Sequence, residues 1–207
     1  PGATALLGGW PSRAQGDAWL AKSKVSRAAI HVLGDRTWVS VPKARPGGEG
    51  DWTHIEHGPD NNPVANDQLI KAPYMTKWLG RPFYIAMPAV TVAADGKIFL
   101  ATGHIAHHQR EEPWLNMLIA RNGYNGTILW QRQLPDGYLV HRSAFVAGDQ
   151  TFYMIDTDGS GCLMLDPQTG DEQGRVDLPS RRGQWKWMGI QDGVLLALLG
   201  EEKDPAQ

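Results

Sequence analysis

The sequence predicts an all-β fold built from four-stranded antiparallel sheets, and three observations lead to this prediction. Short apolar runs of strand length recur between clusters of glycine, aspartate, asparagine and proline. The dipeptides that separate them, such as Asp95-Gly96 and Asp192-Gly193, tolerate the positive φ angles of tight reversals between antiparallel strands. A short motif also returns after 44 residues, a spacing that suits a unit of four short strands.

Few of these runs occur in the first part of the chain. The sequence predicts a helix over residues 16–25 and a strand over residues 37–41. Residues 42–82 hold six prolines and a Gly-Gly pair, and a loop of this length is unusual in a compact domain unless it is functional or connects distant parts. We therefore predict that residues 43–82 form one long segment that crosses the molecule.

The rest of the chain is dense in short apolar runs, each too short for an amphipathic helix. Turn pairs of the Asn-Gly and Asp-Gly type lie between many of them, as expected for consecutive antiparallel strands. The predicted strands cover residues 89–93, 97–102, 116–120, 127–134, 143–147, 151–155, 162–165 and 193–198.

A repeated motif indicates how these strands are grouped. Its first copy contains Ala120, Gly126 and Trp130, and its second copy repeats the centre as Asp166, Thr169 and Gly170. The two central glycines are 44 residues apart. A period of about 40 to 50 residues that holds four short strands is typical of a β-propeller blade, which buries its faces only against neighbouring blades.

The period divides the chain into blades. Residues 84–134 and 140–178 are predicted to form complete four-stranded blades, and residues 18–42 and 184–207 to form incomplete ones. A propeller closes into a ring because closure removes the exposed sheet edges. We therefore expect the 207 residues to be a propeller fragment whose nearest partners are the remaining blades of a longer protein.

Composition excludes several classes of protein. Lys and Arg total 20 against 22 Asp and Glu, so the net charge of −2 offers no basic excess for a nucleic acid. The single cysteine, Cys162, rules out an internal disulfide framework. No run approaches the roughly 20 apolar residues of a transmembrane helix, and the chain shows no signal peptide.

The motif resembles the tryptophan-docking repeat of the pyrroloquinoline-quinone (PQQ) repeat propellers, whose pattern is Ala-x-Asp-x-x-Thr-Gly-x-x-x-Trp. Asn122 and Asn125 replace the Asp and the Thr in the first copy, and Met164 and Gly174 replace the Ala and the Trp in the second. The family includes quinoprotein alcohol dehydrogenases and non-enzymatic outer-membrane assembly propellers. Membership therefore implies a fold more strongly than a reaction.

Three further stretches, residues 52–62, 104–108 and 138–143, resemble a bacterial subgroup of large PQQ-binding-like propellers. The resemblance extends over residues 30–200. It implies a periplasmic or otherwise extracytoplasmic location, because members of the family usually work outside the cytoplasm.

The nine tryptophans are either structural slots or the lining of a ligand surface. Trp130 occupies the docking position of the motif, which makes it structural. Trp38, Trp78 and Trp114 are also expected to be structural, and Trp185 and Trp187 are the pair predicted to contact a ligand.

Candidate ligand contacts follow from the resemblance, because in this class the segment entering the innermost strand of a blade opens onto the central channel. The candidates are His141, Arg142, Trp185, Lys186 and Trp187. A guanidinium can hold a carboxylate with two hydrogen bonds, and an indole can stack on a planar ligand. The alternative is that the arginine pairs with a neighbouring loop and the indoles wedge between blades.

Histidine and carboxylate side chains provide candidate metal ligands. The candidates are His104, His107, His108 and Asp60. None lies in the helical His-Glu-x-x-His setting that makes such spacing diagnostic, so surface or loop-anchoring histidines are favoured, including His54 and His57 in the long segment. Asp60 likewise fits an Asx turn that holds loop backbone.

Two functions remain open at this point. The first is a binding or scaffold propeller for a small-molecule or protein ligand, with no identifiable catalytic residue. The alternative implied by the resemblance is part of a PQQ- and calcium-dependent oxidoreductase acting on alcohols or sugars. Its methanol-dehydrogenase type needs a vicinal cysteine pair and a catalytic aspartate, whereas this chain has one cysteine and no recognisable equivalent.

Overall fold

The computed structural model describes residues 4–82, 88–135, 144–178 and 183–201. These residues form strands with one α-helix and one short 3₁₀ helix. The chain divides into two compact units, Pro1–Gly47 and Gly48–Gln207.

The first unit combines a small sheet with the α-helix. It contains β1 (Thr4–Trp10), α1 (Arg13–Lys22), β2 (Ala29–Leu33) and β3 (Arg36–Pro42), with the antiparallel sheet order β1-β3-β2. The helix ends at Lys22, and the residue that caps it, Ser23, has an extended backbone and a hydroxyl that donates to the carbonyl of Leu20. The predicted helix therefore exists but begins and ends three residues earlier, and residues 18–22 of the predicted incomplete blade are helical.

The second unit contains two four-stranded sheets, each wound in chain order. The first blade comprises β4 (Pro88–Ala94), β5 (Lys97–Thr102), β6 (Met117–Asn122) and β7 (Ile128–Gln133), with a 3₁₀ helix (Gln109–Trp114) between β5 and β6. The second blade comprises β8 (Phe145–Ala147), β9 (Phe152–Ile155), β10 (Gly161–Leu165) and β11 (Glu172–Asp177). A third sheet contains β12 (Gly183–Gln191) and β13 (Val194–Glu201). All neighbouring strands are antiparallel.

The turn chemistry explains two of the hairpins. Asp95 and Gly96 between β4 and β5 have φ angles of 46° and 69°. Asp192 and Gly193 between β12 and β13 have φ angles of 51° and 77°. Two successive positive φ angles match the twist of the flanking strands, which is why Asp-Gly pairs favour two-residue hairpins.

Alternation along the strands explains how the sheets pack. In β9, Phe152 and Met154 face the first blade and join its core, whereas Tyr153 and Ile155 face the third sheet. The ring centroids of Phe99 and Phe152 lie 4.4 Å apart across the boundary between the two blades. Strands β8, β9 and β10 of the second blade are therefore buried on both faces, as expected for a blade between two neighbours.

The first strands of the three sheets, β4, β8 and β12, lie side by side in that order. The described residues thus form two complete four-stranded antiparallel blades and part of another, which confirms the predicted all-β, propeller-type fold class. Four observed strands, β1, β2, β11 and β12, lie outside the predicted set. β11 illustrates the reason, since all six of its residues are exposed and it carries no apolar alternation.

The last strand of the second unit is open to solvent. Among the described residues β13 pairs only with β12, and Val194, Leu196 and Leu198 along it are 57%, 50% and 60% exposed. No helix in residues 4–82, 88–135, 144–178 and 183–201 is long and apolar enough to cross a membrane.

Candidate functional site

The repeat motif builds a tryptophan slot between the two complete blades. The Trp130 indole of β7 donates from Nε1 to the carbonyl oxygen of Pro167 at 3.1 Å. Its ring lies against Gly170, which has a φ of +80°, and a Cβ on that glycine would sit 2.7 Å from Cδ2 of the ring. Only glycine provides both the backbone angle and the space.

A second slot of the same design lies on the first blade. Trp78 donates from Nε1 to the carbonyl oxygen of Gly123 at 2.9 Å, and its ring occupies the space that a Cβ on Gly126 would need. Gly123 and Gly126 stand in the motif where Pro167 and Gly170 stand in the next copy. Trp78 therefore does for the first blade what Trp130 does for the second, although it belongs to the long segment rather than to a strand.

The turns that carry these glycines have the same hydrogen bonds in both copies. Asn122 Oδ1 accepts from the backbone N–H groups two and three residues later at 2.9 and 3.3 Å, and Asp166 Oδ1 does so at 2.7 and 2.9 Å. Asn125 Oδ1 accepts from Thr127 N at 2.9 Å, where Thr169 Oγ1 accepts from Asp171 N at 3.3 Å. The replacements in the first copy thus preserve the turn. Ala120, the remaining residue of the motif, is fully buried opposite Trp130.

Three consecutive residues of the long segment connect all three sheets of the second unit, and we call residues 52–54 the clasp. Trp52 exchanges two backbone hydrogen bonds with Ala93 of β4, at 2.8 and 2.7 Å. The carbonyl of Thr53 accepts from Ala147 N of β8 at 2.9 Å. His54 Nε2 accepts from Ile190 N of β12 at 3.0 Å.

The contacts of His54 define its protonation state. Because Nε2 accepts from a backbone N–H, the neutral ring carries its proton on Nδ1, which lies 2.8 Å from Thr53 Oγ1. That hydroxyl in turn donates to the carbonyl of His57 at 3.3 Å. His54 is 6% exposed, and burial lowers the pKa of its imidazole below the usual value. His54 is thus a loop-anchoring histidine.

Beyond the clasp, the long segment exposes a series of large apolar side chains. We call residues 64–79 the apolar segment, and its exposed members are Val64, Leu69, Ile70, Tyr74, Met75 and Leu79. Their exposed fractions range from 47% for Leu69 to 88% for Met75. Where exposed apolar side chains form one continuous surface, that surface contacts another molecule more often than a plain solvent face does.

Both ends of the apolar segment are held in place. Near its start, Asp67 accepts from the backbone N–H groups of Gly50, Leu69 and Ile70 at 3.1, 2.7 and 2.8 Å. Near its end, Trp78 occupies the slot on the first blade. The segment has no strand or helix of its own, and Gln68 N adds a further hydrogen bond to the carbonyl of Gly48 at 2.8 Å.

The predicted ligand contacts separate into two groups. His141 and Arg142 lie outside the described residues. Trp185 is 5% exposed and packs into the core between the second blade and the third sheet, and among the described residues its Nε1 has no hydrogen-bond acceptor. A bulge at Lys186 separates it from Trp187, which folds over Gly189. Ligand binding by these residues stays a prediction.

The candidate metal ligands are distributed over separate loops. His104, His107 and His108 lie in the exposed connection between β5 and β6, where Glu111 Oε2 accepts from His107 N and His108 N at 2.9 and 3.3 Å. Asp60 Oδ1 accepts from Asn62 N at 3.3 Å in a local turn. Nowhere in the described part of the chain do three or more His, Cys, Asp or Glu side chains form a group that could hold a metal ion.

The roles of Trp52, Thr53 and Trp78 in the long segment are hard to predict from the sequence. Trp78 precedes Trp130 by 52 residues, which is longer than the 44 residues between the two motif glycines, so the period alone did not identify its slot. Trp52 and Thr53 act through backbone groups, which leave no pattern in side-chain type. Only the unusual length of the segment indicated that it is functional or connects distant parts of the molecule.

Comparison with known proteins adds little to this geometry. No protein-family model matches the chain, and no curated protein does. Among solved structures, BamB from Moraxella catarrhalis is similar with a TM-score of 0.37 and 17% identity over 54% of this chain. The matched region spans 30% of the BamB chain. Membership of the PQQ-repeat family stays a prediction.

Proposed function

We propose that this chain is part of a propeller that acts as a binding scaffold, and that a protein partner contacts the apolar segment. The observation that carries the proposal is the exposure of six large apolar side chains within 16 residues of a segment held at both ends. Surfaces of this kind gain binding free energy when they are covered, at roughly 25 cal/mol per Å² of apolar area removed from water.

The anchors support this role because they lower the entropic cost of binding. A loop that must order itself loses part of its interaction free energy to lost backbone and side-chain freedom. Here the bond from Gly50 N to Asp67 and the bond from Trp78 to Gly123 already hold the apolar segment near both ends. The entropic cost of ordering the segment on binding would therefore be reduced.

The open edge of β13 belongs to a different interaction. In the complete blades the second strand pairs on both sides, as β5 does with β4 and β6, whereas β13 pairs on one side only among the described residues. We propose that further strands of the parent propeller cover this edge, because an exposed apolar edge strand promotes association. The family resemblance favours an extracytoplasmic location for that protein.

Site-specific photo-crosslinking tests the proposed surface. A benzophenone amino acid is placed at Tyr74 or Met75 of the full-length protein in its native cells, with exposed Gln109 on the 3₁₀ helix as the matched control position. The proposal expects one intermolecular product of defined mass from Tyr74 and Met75 and none from Gln109. Absence of any product, or products within the same chain only, would show that the segment has no partner or that the propeller itself covers it.

Once the crosslinked protein is identified, a direct titration measures the contribution of the surface. Each buried aliphatic or aromatic side chain contributes about 1.5 to 3 kcal/mol. Replacing Tyr74, Met75 and Leu79 with Ser should therefore weaken binding by at least about tenfold. Unchanged affinity would show that the partner binds a different surface of the protein.

The quinoprotein alternative has a separate test. Full-length protein is incubated with PQQ and calcium, and quinone absorbance and dye reduction are followed with a panel of alcohols and sugars. The scaffold proposal expects no turnover. Saturable quinone binding with turnover would refute the scaffold proposal and support the oxidoreductase.

A further inference from the structure

The clasp joins the first strands of three successive sheets through three consecutive residues, and one of its three connections differs in chemistry from the other two. Trp52 and Thr53 connect to β4 and β8 through backbone groups, which do not titrate. The connection to β12 is made by the imidazole of His54, which accepts from Ile190 N at 3.0 Å. We propose that the clasp is acid-sensitive, because protonation of His54 releases it from β12 while its connections to β4 and β8 persist.

The hydrogen bonds of His54 explain why protonation breaks this connection. In the neutral ring, the Nε2 lone pair receives the Ile190 N–H and the Nδ1 proton faces Thr53 Oγ1. A proton taken from solvent binds at Nε2, the only free ring nitrogen. The new N–H then points at the Ile190 N–H, so two donors face each other and this half-buried N–H group loses its acceptor.

The surroundings of the ring decide the pH range. Asp60 raises the pKa of His54, His57 lowers it, and burial, the largest influence, also lowers it. The group that β12 presents to the ring is the neutral N–H of Ile190. With the pKa in the folded protein below the ordinary 6.5, the unfolded or opened state binds the proton more readily. The connection is therefore fully present above pH 6.5 and weakens as the pH falls towards the pKa of the folded state.

Hydrogen exchange measures this opening directly. Peptides covering residues 183–195 and 51–58 of the full-length protein are followed by mass spectrometry at pH 7.5, 6.5 and 5.5, with protection factors corrected for the intrinsic rate. We expect the opening of β12 at Ile190 to increase below pH 6.5, approaching tenfold per pH unit, which is the limit for one proton. Further peptides that cover Ala93 and Ala147, whose N–H groups donate to Trp52 and Thr53, are followed in the same experiment, and protection there should change less.

Two variants separate this cause from a general effect of acid. His54→Gln retains an acceptor oxygen near the position of Nε2 but does not titrate, so its protection at Ile190 should be independent of pH. His104→Gln removes an exposed histidine from the first blade and should behave as the natural protein. Constant protection in the natural protein, or the same pH dependence in His54→Gln, would overturn the proposal.

A spectroscopic measurement covers the case in which His54→Gln does not fold. The imidazole nitrogens of His54 and the amide of Ile190 are followed by NMR in the natural protein as the pH is lowered. We expect an Nδ1–H tautomer at neutral pH and one shared midpoint below 6.5 for both signals. Separate midpoints, or an Ile190 amide that ignores the titration of His54, would likewise refute the release of β12.

Discussion

Replacement of Gly170 by alanine tests the tryptophan slot most directly. The added methyl group would lie 2.7 Å from Cδ2 and 3.0 Å from Cγ and Cε3 of Trp130, so the ring or the backbone must move. The φ of +80° adds about 1 kcal/mol of strain for an L-residue. Displacing the ring removes its hydrogen bond to Pro167, which contributes about 1 kcal/mol of stability. It also exposes part of the buried ring, which costs a few kcal/mol at most. We expect Gly170→Ala to lower the free energy of unfolding by about 3 to 5 kcal/mol.

The matched control is Gly193→Ala in the hairpin between β12 and β13. Gly193 has a φ of +77°, and a Cβ there would meet no atom within 4 Å. This variant should lose only the strain, about 1 kcal/mol. The difference between the two variants, about 2 to 4 kcal/mol, then isolates the contact with Trp130.

Urea denaturation followed by circular dichroism and by tryptophan fluorescence measures both variants, and coincident transitions establish that unfolding is two-state. The double-mutant cycle is completed by Trp130→Ala. In that background, Gly170→Ala should lower the free energy of unfolding only by the backbone strain. If Gly170→Ala costs no more than Gly193→Ala, or costs the same with and without the Trp130 ring, the slot does not explain why glycine is needed.

Two further predictions concern the second slot and the repeat turn. Trp78→Ala should release the apolar segment and speed tryptic cleavage after Lys71 and Lys77 under native conditions. The control Tyr74→Ala, which changes a 77% exposed side chain, should not speed this cleavage. Equal cleavage rates in the two variants would mean that Trp78 does not anchor the segment. Backbone hydrogen bonds from Gln168 and Thr169 lower the pKa of Asp166, so its contribution is present above the ordinary value of 3.8 and is lost as the pH falls through the folded-state pKa. Asp166→Asn, which places the residue type of Asn122 here, should retain the turn and reduce the loss of stability at acid pH. Asp166→Ala should lower the urea midpoint at neutral pH. If stability falls as steeply at acid pH in Asp166→Asn as in the natural protein, Asp166 does not cause that loss.

The fold class was predictable because its causes are local and periodic. Apolar alternation identified most strands of the two complete blades. The Asp-Gly pairs identified the hairpin between β4 and β5 and the hairpin between β12 and β13, since φ preference depends on the residue itself. β11 escaped detection because it is polar and exposed along its whole length. β12 escaped because a bulge at Lys186 interrupts its alternation between Trp185 and Trp187.

The candidate site was predictable only in part. The residues of the motif were found from their spacing, and their hydrogen bonds agree in both copies despite Asn122 and Asn125. The apolar segment was recognised as a long crossing stretch, but its exposure is a property of what surrounds it. A run such as Tyr74-Met75 has the same letters whether it is buried or open to solvent.

By itself, the sequence determined most of the strands, the Asp-Gly hairpins and the period that groups them, because each of these depends on residues close together in the chain. The tertiary structure alone decided that Trp78 fills the slot on Gly126 and that His54 reaches Ile190, 136 residues away. Contacts at such separations depend on how sheets stack and where one backbone passes another. No local preference or periodic pattern encodes them, so the slot of the first blade and the clasp became visible only in three dimensions.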